Sequence, residues 1–74
     1  MTAMLRIKTK FDEHYYVHTL YYPAMRTWMT FACVAGAVTS FDSDDLYYAG
    51  QVHLEHSKRV LTEYQLQLSD QGQT

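Results

Sequence analysis

The run QVHLEHSKRVLTEYQLQL, residues 51–68, decides the fold because it carries two periods at once. Val52 and Leu54 alternate with Gln51, His53 and Glu55. Beyond Ser57-Lys58-Arg59, the residues Val60, Thr62, Tyr64, Leu66 and Leu68 alternate with Leu61, Glu63, Gln65 and Gln67. Alternation of period two is the mark of a half-buried strand, so the segment reads as a hairpin. The same residues also fit a helix. Leu46, Gly50, Leu54, Ser57, Leu61, Tyr64 and Leu68 trace one seam, supported by Glu55–Arg59 and Arg59–Glu63 pairs. The strand pattern needs fewer exceptions over its last nine residues. A hairpin is therefore the expectation and one long C-terminal helix the alternative.

Upstream the period is clearer. Leu5, Ile7, Thr9 and Phe11 alternate with Arg6, Lys8 and Lys10, which predicts an antiparallel strand with one cationic face, suited to a sheet edge. Asp12-Glu13 supplies a turn. His14 to Tyr22 is rich in β-branched and aromatic residues and predicts a second strand, ended by Pro23, which has no N–H to give the ladder. Residues 24–38 fit helical spacing through Met25, Trp28, Met29, Ala32, Cys33 and Gly36. Their Thr, Trp, Phe and Val content favours a buried strand instead. A short helix is expected near 43–50, capped by Ser43, with Asp44 and Asp45 in its first turn and Gly50 closing it. The expected class is α+β and β-rich: a small antiparallel sheet of about four to five strands with that short helix. Residues 1–68 form one small domain and 69–74 a flexible polar tail.

With 74 residues the chain has a thin core. Cys33 is the only cysteine, so no internal disulfide can reinforce it, and a reduced, cytoplasmic setting fits best. The net charge of −2 gives no field that would gather nucleic acid or anionic lipid without other contacts. The longest uncharged run, Thr27 to Phe41, is shorter than the roughly 20 apolar residues a bilayer helix needs, so no membrane role is expected.

Candidate chemistry is sparse. His53 and His56 lie three apart and His14 and His18 four apart, but no His-Glu-x-x-His or cysteine pair completes a zinc site, so no metal or other cofactor is expected. Asp42, Asp44 and Asp45 begin like a calcium loop, yet Tyr47 stands where glycine is required and His53 where glutamate is required. Cys33 lies between Ala32 and Val34 in the most apolar stretch, where a thiol is shielded and inert. No nucleophile, base and oxyanion donors converge, and the chain is not expected to be an enzyme.

Tyrosine is the remaining signal. Six of the seven tyrosines form adjacent pairs, Tyr15-Tyr16, Tyr21-Tyr22 and Tyr47-Tyr48. Neighbouring residues on a strand point to opposite faces, so one core cannot hold both members of a pair. Tyrosine is also enriched at interfaces. The expected function is a small protein-interaction module of the adaptor or inhibitor kind, a size common among proteins encoded by phages and mobile elements. Its partner would be a protein, its own copies included, as a homodimer or larger oligomer. The expected contact residues are these six tyrosines and Trp28. The alternative is a single-stranded nucleic-acid module whose Arg6, Lys8 and Lys10 would follow the backbone while neighbouring tyrosines stack on bases.

Overall fold

A computed structural model describes residues 6–72. Four antiparallel strands follow one another as a meander: β1 (Arg6–Asp12), β2 (Tyr15–Tyr22), β3 (Thr27–Val34) and β4 (Ala37–Ser43). One helix, α1 (Leu46–Gly72), then crosses a single face of the sheet. The protein is α+β, in the form of a sheet with one long C-terminal helix. Leu5, assigned to the first strand by its period, lies outside the described residues.

The turns follow local chemistry. Glu13-His14 joins β1 to β2 one residue later than expected, beside a register shift between Lys10 and Asp12. Four residues, Pro23 to Arg26, join β2 to β3, with Arg26 at φ 51°. The stretch 24–38 is not one strand. Ala35-Gly36, with φ of 53° and 85°, folds it back as a two-residue hairpin turn and starts β4. Positive φ at both central residues matches the right-handed twist of the flanking strands. Gly36 adopts it without cost, whereas Ala35 carries a Cβ into the left-handed region.

The hairpin expected at 51–68 is instead helix, and 69–72, expected in a loose tail, continue it. The helix is not short, and Gly50 sits inside it. Its cap is Asp45 rather than Ser43: the Tyr48 N–H donates to Asp45 Oδ1 at 2.9 Å, and the Ala49 N–H donates to the Asp45 carbonyl at 3.0 Å. Ser43 belongs to β4 and is buried.

The inward face of α1 carries Ala49, His53, His56, Val60 and Tyr64, a helical spacing of four, three, four and four. The leucine seam is turned about 100° away from it, given 3.6 residues per turn. Leu54, Leu61 and Leu68 are accordingly exposed. The core forms where Val60 meets Tyr15, Val17 and Ala32, with Phe11, Val34, Phe41 and Tyr64 packed around it. Val17 and Val60 are wholly buried, and each gains about 1.5 kcal/mol from leaving water. Tyr64 closes the far end of this core, its ring 5.3 Å from Tyr15 and 6.3 Å from Phe11. A 27-residue helix is about 40 Å long and an eight-residue strand about 26 Å. The last turns of α1 therefore run past the sheet.

Candidate interaction surface

The strand register assigns every side chain to one of two faces. Tyr15, Val17, Thr19 and Tyr21 of β2 share the helix side with Trp28, Thr30, Ala32 and Val34 of β3. The opposite face carries three full rows across the sheet: Arg6–Leu20–Met29–Asp42, Lys8–His18–Phe31–Ser40 and Lys10–Tyr16–Cys33–Val38. Tyr22, paired with Thr27, extends it at one end. Among the described residues, no element packs on this second face. Its middle is apolar and aromatic, one edge is cationic, and the far edge bears the single carboxylate of Asp42.

The two strand pairs of tyrosine divide as alternation requires. Tyr15 is buried under the helix, while Tyr16 lies half-buried on the open face. Tyr21 packs against Trp28 on the helix side with ring centroids 4.8 Å apart, and Tyr22 lies on the open face. Trp28 is 6% exposed and Tyr15 8%. Both are interior residues of the chain, unlike the other members expected at a contact surface. Tyr47 and Tyr48 stand exposed on the first turn of α1, at 77% and 56%, apart from the open face. Arg6, Lys8 and Lys10 do share the open face with Tyr16 and Tyr22. Leu20, Met29, Phe31 and Val38 complete it. The last three escape a sequence reading that leaves the path of residues 24–38 open.

His18 and Tyr16 on this face and His53 beneath it are shifted. His18 is held below the ordinary imidazole value, first by burial and then by Lys8 and Arg6 beside it. Its Nε2 is shielded from solvent and has no hydrogen-bond partner among the described residues. The Tyr16 phenol is pushed up by desolvation and by the adjoining Cys33, so it stays neutral. On the other side of the sheet, His53 is lowered by burial and, to a lesser degree, by His18. His53 hydrogen-bonds through both ring nitrogens, Nδ1 with the Thr19 hydroxyl at 2.7 Å and Nε2 with the Thr9 hydroxyl at 2.9 Å. Thr19 continues the chain to Thr30 at 2.9 Å. A neutral imidazole donates with one nitrogen and accepts with the other, which rotatable hydroxyls satisfy in either tautomer.

The remaining chemical candidates do not assemble. His53 is held by threonines, His56 stacks on Phe41 at 4.2 Å, and His14 is in a turn. Among the described residues, no three His, Cys, Asp or Glu side chains converge as metal ligands. Cys33 is buried, and its thiol donates to the His14 carbonyl at 3.4 Å. No cavity is present among the described residues, and no helix there is long and apolar enough to cross a membrane. Comparison of the chain with protein-family models, with curated proteins and with solved structures gave no match.

Proposed function

We propose that the protein is a small non-enzymatic interaction module that docks a protein partner on its helix-free sheet face. The observation that carries this reading is the row structure of that face. Leu20, Met29, Phe31 and Tyr16 occupy the middle of a four-stranded surface that no described element covers. An apolar centre with a charged rim is the anatomy of a protein interface. The role is binding, of the adaptor or inhibitor kind.

The reading is tested by an alanine series on the open face, Tyr16, Leu20, Tyr22 and Phe31, compared with Tyr47 and Leu54 on the helix. Anchors at the centre of an interface cost about 2 kcal/mol or more when truncated. The open-face set should abolish association with melting temperature little changed, and the helix set should not. The opposite pattern would transfer the function to the helix.

A second reading has one observation in its favour: Arg6, Lys8 and Lys10 lie on the same face as Tyr16, Tyr22 and Phe31, the combination single-stranded nucleic acid uses. It predicts a complex with an oligonucleotide that weakens steeply with salt and is lost on charge reversal of the three cations. The net charge of −2 and the acidic far edge favour the protein partner.

A further inference from the structure

One pair of opposite charges on the open face is placed so as to match itself. Arg6 and Asp42 terminate the same row, one on each edge strand, with Leu20 and Met29 between them. Both charged residues are exposed. Resting on the reading of this face as a docking surface, we propose that its occupant is a second copy of the chain, related by a twofold axis parallel to the strands and midway between β2 and β3.

That operation turns the face over while keeping each row level. It lays β1 of one copy on β4 of the other, and β2 on β3. Arg6 then faces Asp42 of the second copy at both rims of the interface. Lys8 and Lys10 meet the uncharged Ser40 and Val38 at the rims, while across the centre Leu20 meets Met29, His18 meets Phe31, and Tyr16 lies over the row position of the buried Cys33. Two sheets in face-to-face contact lie about 10 Å apart, close enough for such side chains to interdigitate. The alternative twofold axis, perpendicular to the strands within the sheet plane, lays β1 on β1. It sets Arg6, Lys8 and Lys10 of one copy against the same three cations of the other. Like charges facing one another across an interface suppress that pairing. The charge pattern thus favours the first of these two self-pairings. The dimer would be a two-sheet sandwich with a helix on each outer surface, and such an isologous contact closes on itself and does not propagate.

Sedimentation equilibrium of the full chain, combined with a charge swap, tests this. The wild type should sediment at twice the 8.7 kDa chain mass. Arg6→Asp sets a carboxylate against Asp42 at both rims, and Asp42→Arg sets two cations together. Each change should weaken the dimer by on the order of 100-fold, and the double variant should recover most of that loss. Circular dichroism on the same samples confirms that all four proteins are folded. A wild type that stays at 8.7 kDa at every concentration overturns the inference. So does a dimer indifferent to both single changes, which would place the contact elsewhere, such as on the Leu54–Leu61–Leu68 flank. A double variant no tighter than the singles also overturns it. A monomeric wild type would leave the docking reading to the alanine series, which reports on any protein partner. Loss of all binding in neither series would remove both.

Discussion

Thr19, at the middle of β2, and His53, on the inward face of α1, are joined by a 2.7 Å hydrogen bond between Oγ1 and Nδ1. Both residues are buried. With Thr9 and Thr30 they form a polar chain linking three strands to the helix. The packing of Val60 and Tyr15 holds the helix at one level, and this chain fixes it at another. Replacing His53 with Ala leaves the Thr9 and Thr19 hydroxyls without that partner. The expected loss is about 1–3 kcal/mol, measured by urea unfolding. Stability equal to wild type would show that the chain contributes nothing net.

The same histidine makes stability depend on pH. The folded values of His53 and His18 both lie below the ordinary value of 6.5. Between the folded and unfolded values the unfolded chain binds more protons, so unfolding free energy rises with pH there. Stability from these groups is fully present above about pH 6.5 and declines as pH falls toward their folded values. Melting temperature should therefore drop on acidification, and His53→Gln should flatten the profile. A profile indistinguishable from wild type in that variant would exclude His53 as a source of the dependence.

The rotation of α1 can be tested by two truncations. Val60→Ala opens a gap among Tyr15, Val17 and Ala32 and should cost about 2 kcal/mol. Leu54→Ala, on the flank turned away from the sheet, should change stability by less than about 0.5 kcal/mol. Equal costs in chemical denaturation would mean that the leucine seam, rather than the Val60 face, meets the sheet.

Ala35 gives a stabilising change. Its φ of 53° suits Asn or Gly better than Ala, and it occupies the first central position of the β3–β4 turn. Ala35→Asn should raise stability by about 0.5–1 kcal/mol, read as a higher melting temperature. A decrease would mean that the side chain at this position makes contacts outweighing the backbone gain.

Much of the sheet was legible in the sequence, and the helix less so. Alternating cations and apolar residues mark β1, and the Tyr15–Tyr22 composition marks β2, because strand geometry exposes its period directly. The β3–β4 turn was hidden because Ala35 is not a residue that advertises positive φ. The helix was hidden for another reason. Its inward positions include Ala49, His53 and His56, which hydropathy does not mark as core. Its leucines, conspicuous in the sequence, point elsewhere. Ala49 lets the helix approach closely, and the threonines on the sheet make His53 acceptable inside. Neither partner is visible until the strands are paired. The open face was half legible. Tyr16, Tyr22 and the three cations follow from the first two strands, whereas Phe31, Met29 and Asp42 depend on the β3 and β4 registers.

The central claim, that the helix-free face is where this protein meets its partner, is tested most directly by site-specific photo-cross-linking. A photoreactive phenylalanine analogue is placed at position 31 on the open face, or at position 61 on the helix flank, and adducts are identified by mass spectrometry. Position 31 should yield a covalent protein adduct that Leu20→Glu removes, and position 61 should yield none. Adducts from position 61 alone would contradict the account.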